Sequence, residues 1–211
     1  MCGRFLTPDR AAFERHWGLA APVDFVQSYN VAPSQTVPVI RHARTGERIA
    51  DTMVWGFRPD WAKRAWINAR SETVFESRAF ERAALRQRCL VPAMGWYEWQ
   101  GAKAPKQPYV FHLNGFVPFA FAGIWTARRN DADWVRSFAI LTRPALAAIR
   151  NIHDRMPVVL DPDAYEAWLG TDVDVARQAL AAPLDVVQTY PVSAHVNKPQ
   201  NDDAQCIAPV I

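Results

Sequence analysis

The chain has 211 residues, a formal net charge of +3, 50% hydrophobic and 12% aromatic residues, and nine tryptophans. That content is too apolar for a disordered chain and suits one packed domain, expected over residues 1–211. No run reaches the ~18 uninterrupted apolar residues of a membrane span, and no apolar segment of a signal peptide follows Arg4, so a cytoplasmic protein is expected.

In chain order, a first helix is expected from Asp9 to Trp17, with Thr7 and Pro8 as start signals and Gly18 as the stop. Strand patterns follow at VPVIRH (37–42), IADTMVWGF (49–57) and RCLVPAMGWYEW (88–99). The apolar run 109–125 reads as two strands around an Asn114-Gly115 hairpin turn. Further strands are expected at 138–142, 156–160 and 184–192. Helices are expected at SRAFERAALRQR (77–88), PALAAIRN (144–151), DPDAYEAWLG from Asp161, and VDVARQALAA. Several strands succeed one another without helices between them. This favours a β-rich α+β domain of antiparallel, barrel-like sheets with peripheral helices.

Cysteines 2, 89 and 206 are odd in number and form no CxxC pair, so neither a disulfide framework nor a metal site is expected. Of the 24 basic residues only four are lysine. Between 58 and 88 stand eight basic side chains (Arg58, Lys63, Arg64, Arg70, Arg78, Arg82, Arg86 and Arg88) against four acids, interleaved with Trp61, Trp66 and Phe75. Arginine among aromatics is the composition of a groove for single-stranded nucleic acid; the alternative is a solvated helix face.

Five residues offer chemistry. If Met1 is removed, Cys2 carries a free α-amine and a thiol on adjacent carbons. The amine has an ordinary pKa of about 7.7–8.0. It can form a Schiff base with an aldehyde, and the thiol can then close a five-membered thiazolidine. Glu98, enclosed by Trp96, Tyr97 and Trp99, is a carboxylate that desolvation would tune toward neutral pH, or else an edge-strand glutamate with its head in water. His153 sits in a connection into a strand, where proton shuttles and plain loop histidines both occur. Asn68 and Arg70 in WINARSET supply an orienting amide and a phosphate-binding cation.

CGRF (2–5), YNVAP (29–33), WGF with PDW (55–61), INAR-x-E-T (67–73), GWYEW (95–99), KQPY (106–109), IHDRMPV (152–158) and VSAHVNKPQND (192–202) occur together in this order. Jointly they closely resemble the SRAP family, the SOS response-associated peptidase-like proteins. The resemblance implies a sensor of abasic sites in single-stranded DNA that crosslinks itself to the ring-opened sugar through Cys2. It further implies that Asn68 orients the amine, Glu98 assists Schiff-base formation, and His153 opens the sugar ring and can reverse the crosslink. Arg4, Arg70 and Arg78 fall where the family contacts phosphates, and Asn30, Pro33 and Trp61 where it wedges against bases. No cofactor, metal or membrane is implied, and a monomer, nucleoid-associated in a bacterium, is expected. Two alternatives stay open: a thiol peptidase built on Cys2 and His153, and a non-covalent single-strand binder.

Overall fold

The computed structural model describes residues 2–22, 25–130, 133–184 and 187–210. Its twelve strands are β1 (Phe5–Leu6), β2 (Thr36–His42), β3 (Arg48–Trp55), β4 (Asn68–Arg70), β5 (Arg88–Ala93), β6 (Gly95–Gln100), β7 (Gln107–His112), β8 (Phe119–Asn130), β9 (Asp133–Pro144), β10 (Arg155–Pro157), β11 (Val159–Leu160) and β12 (Gln188–Pro191). The helices are α1 (Arg10–Trp17), α2 (Glu81–Arg86), α3 (Tyr165–Leu169) and α4 (Val173–Ala181).

β9, β3, β2, β5 and β8 close on themselves through a β8–β9 pairing into a five-stranded barrel, with β4, β10 and β11 attached. A second, antiparallel sheet has the order β1-β6-β7-β12. Alternation along each barrel strand explains the core. Val37, Val39, Met53, Trp55, Cys89, Val91, Phe119, Phe121, Phe138 and Ile140 fill the interior. The intervening Ile40, Leu90, Ala120, Ala122, Ile124, Ala139 and Leu141 form an outer face, which packs with residues of the helices such as Phe13, Trp17, Trp168 and Ala176. The expected β-rich α+β fold with peripheral helices is therefore observed, with two parallel pairings, β3–β9 and β4–β9, inside the mostly antiparallel barrel.

Local chemistry sets several boundaries. α1 starts one residue after the N-cap Asp9, whose carboxylate accepts from the Ala12 N–H, and ends at Gly18, which takes the left-handed φ of 64°. Asp172 caps α4 in the same way through the N–H groups of Asp174 and Val175.

Five expected elements fall differently, and two change length: the helix expected at 77–88 is α2 (Glu81–Arg86), and the strand expected at 138–142 runs over Asp133–Pro144. The 88–99 run is two strands, because the chain leaves the barrel at Met94, whose N–H donates to the Leu6 carbonyl at 2.9 Å, and enters the second sheet as β6. Residues 109–125 form no hairpin: β7 pairs with β6 and β12, β8 joins the barrel, and Asn114-Gly115-Phe116 is a 3₁₀ turn between the sheets. The 156–160 run divides at Val158, whose backbone bridges Leu141 and Ala122 while its neighbours pair with β9 and β8. PALAAIRN is a series of turns, with Ile149 N–H to Leu146 and Ile152 N–H to Ile149; the Asp154 carbonyl takes the Ala145 N–H and folds the segment back onto β10. In 184–192, residues 185–186 lie outside the described residues and the strand occupies Gln188–Pro191. The two- and three-residue strands β1 and β4 carry too little pattern to be read from sequence.

Gly95 lies where β1 crosses β6: a Cβ there would stand 2.5 Å from the Phe111 carbonyl and 2.9 Å from Leu6 Cδ2. Gly95→Ala is therefore expected to lower stability by about 1–3 kcal/mol. Chemical denaturation checks this; an unchanged midpoint would show that β1 and β7 can both shift without cost.

Candidate functional site

The amino-terminal segment is tied down by its backbone. Phe5 and Leu6 pair with Trp96 and Gly95 of β6, the Tyr97 N–H donates to the Arg4 carbonyl at 3.0 Å, and Phe5 exchanges hydrogen bonds with Val31. The Phe5 ring, fully buried, meets Trp55 edge-on at 5.0 Å and Phe121 at 6.0 Å. Cys2 follows it inward and is itself fully buried among the barrel's interior residues. Met1 lies outside the described residues.

Three sequence-selected side chains converge on Cys2. Asn68 stands on β4, where Trp55 Nε1 donates to the preceding Ile67 carbonyl at 2.9 Å, and its own Nδ2 donates to the Cys2 carbonyl at 2.7 Å. Its Oδ1 is buried without a hydrogen-bond partner among the described residues. Glu98 on β6 is only 4% exposed, so it is no edge-strand glutamate with its head in water. Burial pushes its carboxyl up to about 7. Burial also raises the Cys2 thiol well above its usual range, and the Glu98 charge raises it further.

His153 approaches Glu98 with Nε2 at 3.8 Å from Oε2. The Arg155 N–H donates to His153 Nδ1 at 3.0 Å, which in the neutral ring leaves the proton on Nε2, toward Glu98. Once protonated, Nδ1 has the Arg155 carbonyl at 3.1 Å and the Asp154 carboxylate at 3.2 Å as acceptors. Burial lowers the pKa of the ring, favouring the neutral form. Arg155 is held in turn by Glu72 and by the Thr142 carbonyl at 2.6 Å, and that hydrogen bonding depresses the Glu72 carboxyl to about 2.

The residues assigned to DNA contact divide. Pro33, Trp61, Arg70 and Arg78 are exposed, and Trp61 leans on Trp66 at 5.7 Å. Asn30 corrects the expectation of a base wedge: it is fully buried, its amide donating to the carbonyls of Val196, Lys198 and Asn201 and its Oδ1 accepting from Arg4 at 2.8 Å. Arg4 also donates to the Val196 and Asn197 carbonyls, yet lines a cavity of about 360 Å³ with Trp99, Pro105, Lys106 and Asn197. The 58–88 stretch is largely turns rather than a helix face, and seven of its eight cations are exposed; Arg88 is buried.

Sequence reasoning missed the supporting groups. Asp202 binds the Tyr29 N–H at 2.5 Å and Ser28 Oγ at 3.0 Å, which clamps the carboxyl-terminal segment onto YNVAP. Asp202, Arg155 and Lys106 stood inside quoted motifs, but only the fold shows what they touch. All three cysteines are buried and free. Among the described residues one trio of ligand-type side chains, His195, Asp203 and Cys206, gathers within 4.8 Å. Its atoms are engaged: His195 with Asp203 at 3.2 Å, and the Cys206 thiol with the Asn201 carbonyl at 3.2 Å.

The family model described as SOS response associated peptidase (SRAP) matches residues 1–199. The abasic site processing protein YoaM of Bacillus subtilis is 35% identical, the match covering 87% of this chain and 86% of that one. The abasic site processing protein YedK of Escherichia coli is 32% identical, with 86% and 84% covered. A crystal structure of a protein from Bacteroides thetaiotaomicron superimposes with a TM-score of 0.86 over the whole of both chains at 21% identity, a likeness of fold.

The Glu98 carboxyl, at about 7 in the fold against 4.5 ordinarily, binds its proton more tightly in the folded than in the unfolded chain. Its contribution to stability is therefore full below about pH 4.5 and lost as pH rises through 7, a change of up to about 3 kcal/mol. The stability difference between the wild type and Glu98→Gln should shift against the wild type from pH 5 to pH 8. Denaturation at each pH measures this, and a flat difference would mean Glu98 titrates as an ordinary carboxylate.

Proposed function

This chain belongs to the SOS response associated peptidase (SRAP) family, and from that premise we propose that it processes abasic sites in single-stranded DNA by covalent capture through Cys2. The observation that carries the reading is that Asn68 bonds the Cys2 carbonyl, Glu98 acts electrostatically on the Cys2 thiol, and His153 approaches Glu98, all at the buried end of the N-terminal segment. The names of its relatives, abasic site processing proteins, support the substrate.

Removal of Met1 turns the Cys2 nitrogen into a primary amine at this position. Asn68 holds the neighbouring carbonyl, and its uncommitted Oδ1 is an acceptor for an amine proton. An abasic site in equilibrium with its open form presents an aldehyde at C1′. The amine adds to that carbon, and water leaves as the C=N bond forms. The Cys2 sulfur then adds to the imine carbon and its proton passes to nitrogen, so the whole condensation releases one water.

Glu98, with a pKa near 7, supplies both forms needed: the acid protonates the departing hydroxyl and the carboxylate removes a proton from the adding nitrogen or sulfur. Neutral His153 with its proton on Nε2 serves the sugar's own ring-opening and, in the reverse direction, release of the crosslink. An abasic site has no base to stack, so the aldehyde is what distinguishes it. The exposed Arg70, Arg78 and Trp61 hold any neighbouring sequence through phosphates and stacking.

A thiol peptidase is the weaker reading on one ground. Such an enzyme needs a thiolate formed by an adjacent base, whereas burial and Glu98 keep the Cys2 thiol protonated. An amine-first mechanism asks for no thiolate at the start.

With an oligonucleotide carrying one abasic site, Glu98→Gln and Asn68→Ala are expected to slow crosslinking by about 10²-fold or more while leaving equilibrium affinity within threefold. Arg70→Ala with Arg78→Ala should weaken affinity and flatten its salt dependence, without changing the crosslinking rate at saturating DNA. Quenched-flow gels and anisotropy titrations separate the two. Parallel loss of rate and affinity in Glu98→Gln would reduce that residue to a structural role.

A further inference from the structure

The far end of the barrel carries a second opening that the abasic-site reading does not use. β5 runs from Arg88 to Ala93, and its last residue leads through Met94 to β1, whereas its first borders a cleft of about 830 Å³ lined by Arg41, Arg44, Arg86, Arg88, Trp125 and Thr171 among others. At ~3.3 Å per residue the two ends of β5 are on the order of 17 Å apart. The volume lies within the usual range for small-molecule sites.

The electrostatics of this cleft are one-sided: four arginines and His42 line it, and no carboxylate does. The nearest acids are committed elsewhere. Asp51 pairs with Arg41 at 2.7 Å and Arg136 at 3.5 Å, and Glu166 pairs with His42 and Arg48, each at 3.1 Å. Arg88 is buried, and its guanidinium donates to the carbonyls of Trp168, Ala84, Leu85 and Gly170 and lies 5.6 Å over the Trp168 ring. These carbonyls sit at the ends of α2 and α3, so the positive charge is met by dipoles and by no anion. Arg44 and Arg86 are exposed at the cleft, with no carboxylate partner among the described residues. Trp125, on barrel strand β8, is half-buried at the cleft, with the Arg41 guanidinium 5.2 Å over its ring.

We propose that this cleft is a nucleotide-binding site separate from Cys2, in which Arg44 and Arg86 hold the phosphate and the Trp125–Arg41 stack receives the base. Two guanidinium forks facing one opening match the bidentate geometry of a phosphate, and the indole surface gives a base a place to stack that inorganic phosphate cannot use. The nucleotide unit comes either free or as part of a DNA strand that continues around the barrel.

Titration calorimetry on the full chain with 5′-dAMP, deoxyadenosine, inorganic phosphate and the oligonucleotide d(A)6 tests this. The proposal expects 5′-dAMP to bind at least tenfold more tightly than deoxyadenosine or phosphate. It expects Arg44→Gln with Arg86→Gln, both exposed, to weaken that binding at least tenfold with unchanged circular dichroism. Cys2→Ala should bind 5′-dAMP like the wild type, so failure of the crosslinking reading and failure of this one are distinguishable. Equal affinity for d(A)6 and 5′-dAMP identifies a free nucleotide; a tenfold gain for d(A)6, lost in the Arg44/Arg86 variant, identifies a strand segment. No heat with 5′-dAMP, phosphate binding as tight as 5′-dAMP, or binding indifferent to Arg44 and Arg86 but abolished by Arg70→Ala with Arg78→Ala, each overturns the proposal.

Discussion

The docking of Phe5 into the mouth of the barrel is the contact on which the remaining geometry rests. A chain terminus is ordinarily loose, and a nucleophile on a loose terminus has no fixed relation to its acid and base. Here the ring of Phe5 is fully buried against Trp55 and Phe121, while its backbone is bonded to β6 on one side and Val31 on the other. Three residues upstream of that anchor, Cys2 is carried into the interior, where Asn68 and Glu98 already stand on strands of the two different sheets. The site thus lies at the seam between barrel and second sheet, and both must fold for it to exist.

The same burial that fixes position sets the chemistry. Removal from water holds the Cys2 thiol neutral, lifts Glu98 to about 7 and lowers the pKa of His153. All three shifts favour uncharged groups, which suits a condensation that begins with a neutral amine and needs one group able to give and take a proton near pH 7. Around the site the positive charge lies largely outside, on exposed cations such as Arg70 and Arg78, where the proposed reading needs a polyanion held without entering the reaction. Arg4 is the exception, bridging the two regions: it is bonded to Asn30 and the 196–197 carbonyls and still borders the open groove.

How far the sequence disclosed this follows from the range over which each signal acts. α1 was legible because Thr7, Pro8 and Gly18 are local punctuation, although Asp9 is the residue that caps it; β2 and β3 were legible as long apolar-rich strand runs, whereas only residues 138–142 of β9 were. β1 and β4 were not: two and three residues hold no period, and their conformation comes from the partners they dock against. The apparent hairpin at Asn114-Gly115 misled because turn propensity is local, whereas sheet membership is decided by which apolar face each strand must bury. At the site, Cys2, Asn68, Glu98 and His153 were selected from joint motif order, and the fold brings them together. Asn30 was misassigned because an exposed wedge and a buried clamp have the same letter in a sequence. Asp202 and the Arg155 backbone, which hold the site in place, stood inside quoted motifs, but no side-chain chemistry pointed to their role.

The central claim is that the amine and thiol of Cys2 act together on one aldehyde, and intact-protein mass spectrometry addresses it most directly. The purified chain is weighed alone and after incubation with a single-stranded oligonucleotide bearing one abasic site. The account predicts that Met1 is absent and that a heat-stable adduct appears at the mass of protein plus oligonucleotide minus one water, for the wild type but not for Cys2→Ser or Cys2→Ala. A chain lacking Met1 that forms no adduct, or a heat-stable adduct of the same mass from Cys2→Ser, would contradict it.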